Sequence, residues 1–425
     1  MHIHVKNGHV IDPANQIDKT TDLFISNGEI AAIDHSPDGF VTEKIIDATG
    51  LVVCPGVVDL RAHCREPGLE NKATIASETR AAVSAGITTL CCPPDTDPVV
   101  DTPAVATLIQ RRAEEAGFAR VLPLGALTQN LNGTHLSEMH ALKTAGCVGV
   151  TNAMYPVANT LIMRRAMEYA ATHDLTVFIN PEDHALCNNG SANEGPVATR
   201  LGLPGIPEAA ETVAVASCLA LIEQIGIRAH FSLISCKRSA YMIARAQHDG
   251  LSVTADVCAH QLHLTENDIL DFDSRCHVRP PLRTQRDLEG LRKAVGSGAI
   301  SAICSDHQPH ERDAKLAPFS VAAPGMSTLE TLLPLTLHLY HNGHLSLNQA
   351  IASLTCNPSQ ILGLDTGTLT VGECADICIF DPDQHWIFHE KDIVSQGKNT
   401  PFVDWEFAGQ VRYTLSAGKL VYERA

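Results

Sequence analysis

Positive charge is scarce in this sequence. Lys and Arg total 31 residues against 48 Asp and Glu, so the formal net charge is −17 at pH 7. Binding to nucleic acid or to an anionic membrane, where it is independent of sequence, requires clustered Lys and Arg. No basic stripe occurs along the chain. We therefore expect neither nucleic acid nor a membrane as a partner.

Long apolar runs are lacking as well. The segment from Met1 to Pro13 contains no apolar region of the kind found in signal peptides. No run of about 18 apolar residues, the length that spans a bilayer, occurs elsewhere. The sequence therefore predicts a cytoplasmic protein without a leader or a membrane span.

Cysteine is plentiful, yet its spacing lacks a metal or redox motif. Among 14 Cys and 21 His there is no Cys-x-x-Cys pair, and disulfides are rare in the cytosol. The pair Cys91 and Cys92 ends the apolar run Ile87 to Leu90, which favours two small buried strand residues. The abundant histidines leave open whether the chain is a metal enzyme.

From about residue 51, apolar runs typical of strands alternate with helical patterns, which indicates βα units around a parallel sheet. Eight such units match the size of a (β/α)₈ barrel. The predicted strands are Leu51 to Leu60, Ile87 to Cys92, Val121 to Leu127, Cys147 to Thr151, Leu175 to Ile179, Ala229 to Ile234, Val253 to Val257 and Ile300 to Cys304. The helix candidates include Pro103 to Ala116, Thr160 to Thr172, Pro207 to Gln224 and Gln285 to Val295.

The two ends of the chain have a different pattern. Residues 1–50 and 366–425 show short alternating runs separated by turn residues, which is typical of antiparallel strands. We expect both segments to form one small composite β-sandwich beside a barrel of residues 51–365. The predicted fold class is therefore α/β, a (β/α)₈ barrel with a β-sandwich formed by both termini.

Motifs at the predicted strand ends carry a family resemblance. The stretches Asp59-Leu-Arg-Ala-His-Cys-Arg-Glu-Pro-Gly68, Pro94-Asp-Thr-Asp-Pro98, Val278-Arg-Pro-Pro-Leu-Arg283 and Ser305-Asp-His-Gln-Pro-His310 resemble those of dihydroorotases in the amidohydrolase superfamily. The resemblance extends over essentially the whole chain. It implies a barrel whose site lies at the C-terminal ends of the strands, and chemistry that opens or closes a cyclic amide.

The resemblance also implies one or two zinc ions, whose ligand positions can be carried over one by one. Zinc requires three or four nitrogen, oxygen or sulfur ligands. The family's ligands are His-x-His after strand one, a carboxylate after strand four, one His each after strands five and six, and Asp after strand eight. The corresponding residues here are Arg61, His63, Asn152, Asn180, Leu233 and Asp306.

Four of these six positions have lost their ligand, and Arg61 adds a permanent cation. At about 4 Å and an effective dielectric near 20, two unit charges interact by on the order of 4 kcal/mol, and a divalent ion facing Arg61 by roughly twice that. We therefore expect no metal cofactor, with Asp306 as a vestigial catalytic residue. We also expect Arg61 and Asp306 to form a salt bridge across the former metal position.

The implied substrate site is retained only in part. Arg65 and His310 match residues that hold the substrate carboxylate in the family, but the Asn that assists them is Asp95 here. An anion facing an anionic ligand makes dihydroorotate binding doubtful, and pairing of Asp95 with Arg65 or Arg279 is an equal alternative.

Two His pairs have an i, i+3 spacing that metal sites also use. These are His260 with His263 and His307 with His310. Since no carboxylate or thiolate completes either set, we interpret them as residues of loops and of the barrel rim.

The main hypothesis is a non-catalytic dihydroorotase homologue that serves as a structural subunit. The resemblance implies aspartate transcarbamoylase of pyrimidine synthesis as its partner, together with self-association. An alternative is an active zinc-dependent dihydroorotase with a rewired metal site on His63, Asp306 and a third group, for which Cys64 and Cys304 lie nearby in sequence. A third is a metal-free sensor that binds a pyrimidine intermediate through Arg65 and His310.

Overall fold

The computed structural model describes residues 1–157 and 159–424, which form a parallel barrel and a sheet built from both chain ends. The strands are β1 (His2–Asp12), β2 (Ile17–Ser26), β3 (Glu29–Ile33), β4 (Lys44–Asp47), β5 (Val52–Pro55), β6 (Val57–Asp59), β7 (Ile87–Cys92), β8 (Arg120–Pro123), β9 (Gly125–Ala126), β10 (Val150–Thr151), β11 (Val177–Ile179), β12 (Ala192–Asn193), β13 (Gly205–Ile206), β14 (Ala229–Phe231), β15 (Val253–Cys258), β16 (Ala302–Cys304), β17 (Ile377–Ile387), β18 (Glu406–Ser416) and β19 (Lys419–Glu423).

Helices cover the outside of the barrel. They are α1 (Ile75–Ser84), α2 (Pro103–Ala116), α3 (Met139–Thr144), α4 (Thr160–Thr172), α5 (His184–Cys187), α6 (Pro196–Leu201), α7 (Glu208–Ile225), α8 (Lys237–His248), α9 (Gln285–Gly296), α10 (Leu329–His341), α11 (Leu347–Leu354) and α12 (Cys356–Leu362). Short 3₁₀ helices lie at Gln129–Leu131, Ala259–Leu262, Glu266–Ile269, Ser274–Cys276, Arg312–Lys315, Phe319–Val321 and Glu390–Asp392.

The barrel consists of parallel strands that are buried on both faces, as expected where helices cover a parallel sheet. Strands β6, β7 and β8 pair in one group, and β9, β10, β11, β14, β15 and β16 pair in the other. At the C-terminal ends of the first and last strands, Ala62 and His307 form a parallel bridge, and the His63 amide donates to the His307 carbonyl at 2.9 Å. These contacts join the two ends of the sheet, and the predicted (β/α)₈ fold class is confirmed.

Most predicted barrel elements are present, but the run Leu51 to Leu60 is not one strand. Gly56 divides it into β5 and β6, and a Cβ atom on Gly56 would lie 2.2 Å from Thr88 Oγ1. Only glycine allows this close approach of the backbone to Thr88. At Gly56 the chain leaves the terminal sheet, which contains β5, and enters the barrel at β6. Strand β5 pairs with β1 and β17, so residues 52–55 lie in the terminal sheet.

Both termini contribute to one sandwich-like sheet. Its strand order is β19-β18-β17-β5-β1-β2-β3, and β4 pairs with β1. A separate apolar cluster fills this part of the molecule, including Ile3, Leu23, Ile25, Ile377 and Leu415. The N- and C-terminal segments therefore share one core, as the alternation of apolar residues predicts.

Part of the C-terminal segment returns to the barrel. The Asn399 side chain accepts from the His310 amide at 2.9 Å and donates to the Gln308 carbonyl at 3.0 Å. Gly397 lies so close to Pro309 that a Cβ atom would be 2.6 Å from Pro309 Cβ. The loop between β17 and β18 thus supports the loop after the last barrel strand.

Across residues 1–157 and 159–424, no helix has both the length and the apolar character needed to span a bilayer.

Candidate active site

The C-terminal ends of the barrel strands bring distant polar side chains together in a buried mouth. In a parallel barrel these ends all face the same side, so residues far apart in sequence become neighbours. Seven of the predicted positions are buried there with relative exposures of 8% or less, namely Arg61, His63, Arg65, Asn152, Leu233, Asp306 and His310.

Arg61 lies at the centre of this mouth. Its Nε donates to Asp306 Oδ1 at 3.0 Å and its Nη1 donates to Asn180 Oδ1 at 3.1 Å. The structure thus contains the ion pair that the sequence predicts. Burial disfavours the charged guanidinium, but Asp306 and Asp95 outweigh this effect and raise the pKa of Arg61. A fixed cation therefore occupies the barrel mouth.

Asp306 is a buried carboxyl group with an unusual proton affinity. Burial raises its pKa to about 6, although Arg61 opposes this change. Gln308 Nε2 donates to both carboxyl oxygens, at 3.2 and 3.1 Å. A group with such a pKa exchanges protons near neutral pH, as a general acid or base must.

The other changed positions do not form the family's zinc site. Asn152 Oδ1 accepts from the amide and hydroxyl of Thr128, and its Nδ2 donates to the carbonyls of Leu131 and Tyr155. Both the oxygen and the nitrogen of its amide therefore form hydrogen bonds with the surrounding loops. Asn180 Nδ2 contacts Met154 Sδ at 3.2 Å.

Leu233 packs in the apolar interior of the barrel, where it offers no donor atom. Together with the guanidinium of Arg61, these side chains do not fit zinc at the family's position, because neutral amides are weak ligands and the cation repels the ion.

His63 is a neutral histidine beside Asp95. Its Nδ1 lies 3.5 Å from Asp95 Oδ1. Burial, reinforced by the positive charges of Arg65 and Arg61, holds the pKa of His63 well below its usual range. Arg279 is bound elsewhere, since its Nε donates to Glu182 Oε2 at 2.8 Å. Among the described residues, Asp95 therefore contacts His63 and forms no salt bridge with Arg65 or Arg279, which was one of the two alternatives for it.

Arg65 and His310 face each other at the same mouth. Arg65 Nη2 lies 3.3 Å from His310 Nε2, and Arg65 Nε donates to the Pro309 carbonyl at 3.1 Å. Among the described residues no carboxylate lies within salt-bridge distance of Arg65. Burial lowers the pKa of Arg65, and burial with the nearby Arg65 lowers the pKa of His310 to about 3. A buried cation without a salt bridge suits an anionic ligand, and the more distant Asp95 and Asp306 offset only part of its charge.

Several buried polar atoms around this mouth make no hydrogen bond within the described part of the chain. They are Arg61 Nη2, His63 Nε2, Asp95 Oδ1 and His310 Nδ1. Buried polar atoms are nearly always satisfied in native proteins. Their concentration at one end of the barrel gives both donors and acceptors that bound water or a polar ligand can satisfy.

A cavity of about 300 Å³ adjoins two of the former ligand positions. Its lining includes Asn152 and Asn180, together with Met163 of α4 and Val213 of α7.

One set of neighbouring side chains was missed from the sequence. Cys258, His260 and Asp306 each place one potential ligand atom within 4.8 Å of the others, and all three are buried. The sequence interpretation of His260 and His263 did not foresee these neighbours, because Asp306 comes from the neighbouring strand end. The spacing Cys258-x-His260 at the end of β15 is the feature of the sequence that could have indicated this group of donors.

The fold and the site together define a barrel of the amidohydrolase type, which comparisons with known proteins support. The family model described as "Dihydro-orotase-like" matches residues 50–239, and that described as "Amidohydrolase family" matches residues 325–422. The L-hydantoinase (dihydropyrimidinase) of Arthrobacter aurescens has a similar fold, with a TM-score of 0.90 at 23% identity over 100% of this chain and 96% of that chain.

Similarity to curated relatives extends over the full length. The "Dihydroorotase-like protein" of Pseudomonas aeruginosa is 50% identical over 423 residues, which cover 100% of both chains. The "Dihydroorotase" of Geobacter sp. (strain M21) is 41% identical over 426 residues, again covering 100% of both. That of Syntrophotalea carbinolica is 42% identical over 99% of both chains. The chain belongs to the dihydroorotase-like family of the amidohydrolase superfamily.

These relatives correct the prediction that the chain is not an enzyme. Homologues at 39 to 42% identity over essentially the whole length carry the name dihydroorotase. The loss of family ligands, which motivated the prediction, removes one way of activating a substrate. It leaves the cation of Arg61, the carboxyl group of Asp306 with its raised pKa and the buried guanidinium of Arg65 in the same mouth.

Proposed function

We propose that this chain opens and closes a cyclic amide that bears a carboxylate, as in the interconversion of dihydroorotate and N-carbamoyl-L-aspartate in pyrimidine biosynthesis. The observation that carries the proposal is buried Arg65, whose guanidinium lies beside His310 and, among the described residues, has no carboxylate at salt-bridge distance. The full-length similarity to proteins named dihydroorotase supports the same reaction class.

In this proposal the substrate carboxylate binds Arg65 and His310, which fixes the ring over the mouth. Arg61 Nη2, which is buried and has no hydrogen-bond partner within the described residues, donates to the carbonyl oxygen as negative charge develops there. The cation of Arg61 thus stabilises the tetrahedral oxyanion.

Asp306 moves the proton. In the hydrolytic direction it takes a proton from water while the water oxygen bonds to the carbonyl carbon. The carbon–nitrogen bond then breaks, and Asp306 returns that proton to the departing nitrogen. A carboxyl group with a pKa of about 6 suits both halves of this transfer. Zinc at the family's position takes no part, because Arg61, Asn152, Asn180 and Leu233 do not fit it.

The proposal is tested by measuring turnover of the purified full chain with dihydroorotate and with N-carbamoyl-L-aspartate. Arg65→Met should lower kcat/KM about 10- to 100-fold, because a charge-assisted hydrogen bond contributes about 1.5–3 kcal/mol. Arg112→Met is the matched control, since the Arg112 side chain is 53% exposed on α2. A folded wild-type chain without turnover in either direction would contradict the proposed activity.

We further propose aspartate transcarbamoylase as a partner and the cytoplasm as the location. The partner rests on the family resemblance. The location is supported by the 14 cysteines, all of which carry free thiols. Native mass measurement of the endogenous complex should give a mass that contains both chains. Recovery of this chain alone, or only as copies of itself, with the transcarbamoylase fully assembled in its absence would contradict the partnership.

A further inference from the structure

A group of metal-binding donors lies between the last two barrel strands. Cys258 ends β15, His260 lies in the following 3₁₀ helix, and Asp306 follows β16. One donor atom from each lies within 4.8 Å of the other two. These are a thiol, an imidazole and a carboxylate, which are the three ligand types that zinc binds in proteins.

The imidazole of His260 gives a second, independent observation that points to a bound ion. Its side chain is 1% exposed, and both Nδ1 and Nε2 lack a hydrogen-bond partner within the part of the chain that the structure describes. An imidazole that is buried without any partner loses its hydrogen bonds to water and gains none. A metal ion at this point accepts the lone pair of one ring nitrogen and removes part of that cost.

A second thiol lies at the same place. Cys304 on β16 is the register partner of Cys258 on β15, and their thiols are neighbours. Both belong to the apolar interior just below the mouth. Cys304 is therefore the nearest candidate for a fourth donor beside Cys258, and four donors are the number that structural zinc sites use.

The charge of Arg61 fits such a site, although it opposes zinc at the family's position. Two thiolates and one carboxylate around a divalent ion leave one net negative charge, which the adjacent guanidinium cancels. Asp306 also keeps lone pairs for the ion while it accepts from Arg61 Nε at 3.0 Å. Arg61 then orients the carboxylate from outside the ligand shell.

We propose that Cys258, His260 and Asp306, with Cys304 as the fourth donor, bind one divalent ion of the zinc class. This site lies between strands seven and eight, and it differs from the family's position because its soft ligands come from the barrel interior. The inference does not depend on the proposed activity, but both use Asp306. A bound ion keeps this carboxylate ionised, so the proton transfer of the proposed function belongs to the metal-free chain.

The test is a cobalt titration of the full chain after metal removal by a chelator. Co²⁺ bound by cysteine gives thiolate-to-metal charge-transfer absorption, so the readout is a spectrum rather than turnover. We expect saturation at about one equivalent, and about one equivalent of Zn²⁺ by elemental analysis. Cys258→Ala should weaken binding at least about 10-fold and remove most of the absorption.

Cys218→Ala is the matched control, since Cys218 is a buried cysteine on α7 outside the donor group. It should leave the spectrum unchanged. A folded wild-type chain that shows no thiolate absorption with excess Co²⁺ would overturn the site without the need for a variant. Turnover of the chelator-treated chain, measured before cobalt is added, separates the two proposals. An inactive metal-free chain that later shows the full absorption band supports the metal site and contradicts the activity.

Discussion

At the scale of single residues, one substitution accounts for much of the electrostatics of the mouth. The guanidinium of Arg61 lies where the family frame places a metal-ligating histidine, and it binds the surviving Asp306. Both side chains are at least 95% buried. In a buried pair, removal of one partner leaves the other charge without compensation, which costs more than the net stability of the pair.

Arg61→Met should therefore destabilise the protein by about 3 kcal/mol at pH 7.5. The loss should shrink at pH 5, because Asp306 has a raised pKa of about 6 and becomes neutral by taking up a proton. Arg111→Met is the control, since the Arg111 side chain is 76% exposed and its pair with Glu115 contributes at most about 1 kcal/mol. Chemical denaturation at both pH values measures the difference, and an equal loss at both would contradict this account.

The raised pKa of Asp306 also predicts the pH dependence of hydrolysis. Only the carboxylate accepts a proton from water, so kcat/KM should fall about tenfold per pH unit below about 6 and level off above it. Asp306→Asn should lower kcat by about 10²- to 10⁴-fold. Asp313→Asn, at an exposed position in the following loop, should keep the profile of the wild type. If the pH profile of kcat/KM for Asp306→Asn keeps the inflection at about pH 6, the inflection belongs to another group.

At the scale of elements, a buried carboxylate connects α7 to the chain after β14. Glu211 on α7 is 3% exposed and accepts from the amides of Ser235 and Cys236, at 3.2 and 3.0 Å, and from the Ser235 hydroxyl. Arg283 Nη2 lies 3.9 Å from it. Helix α7 thereby holds the loop after β14, the sixth strand of the barrel. Leu233 lies in this loop.

Glu211→Gln should cost about 2–3 kcal/mol of unfolding free energy, because the new amide hydrogens face backbone donors and the charge-assisted bonds are lost. Glu223→Gln on the exposed side of the same helix should change stability by no more than about 0.5 kcal/mol. Urea denaturation compares the two variants. Equal stability of both would show that Glu211 does not hold α7 to the loop.

At the scale of the whole molecule, the terminal sheet is packed directly on the barrel. Gly86, which precedes β7 in a left-handed conformation (φ of 80°), faces the terminal sheet. A Cβ atom there would be 2.3 Å from Cys378 Sγ on β17 and 3.4 Å from Val411 on β18. The barrel and the sheet therefore meet without room for one methyl group.

Gly86→Ala should destabilise the protein more than Gly117→Ala. Both glycines have positive φ, so alanine costs about 1–2 kcal/mol of backbone strain at each position. Gly117 follows the last residue of α2, and a methyl group on it would have no neighbour within 4 Å among the described residues. At Gly86 the methyl group of alanine would also overpack the contact with Cys378, which costs about 1–3 kcal/mol more. Thermal unfolding gives the difference, and a similar Tm for the two variants would contradict tight docking of the sheet.

The sequence predicted the barrel well where burial repeats with a regular period. The pattern of α2 and α4 predicted Pro103–Ala116 and Thr160–Thr172 with their observed ends, because the first begins at a proline and the second follows a capping asparagine. It failed between Leu51 and Leu60, since two strands of different sheets are both apolar and only Gly56 separates them.

The candidate site was predictable to the extent that each residue stands at a strand end. The strand ends and the family frame identified Arg61, Asp306, Arg65 and His310, and the structure brings these residues into one mouth. Whether these side chains are in contact depends on their rotamers and on the conformation of the loops, and neither produces a periodic pattern in the sequence. The contact of Asp95 with His63 is of this kind.

What the sequence by itself determined is the family, the order of strands and helices, and the identities of the residues at the barrel mouth, because periodicity and motifs are local properties of the chain. The tertiary structure alone decided which donors converge. His260 looked incomplete in sequence, since the carboxylate of Asp306 lies 46 residues away along the chain and reaches it only when β15 and β16 pair. Parallel pairing places distant strand ends side by side, and that convergence gives the buried mouth its charge and its chemistry.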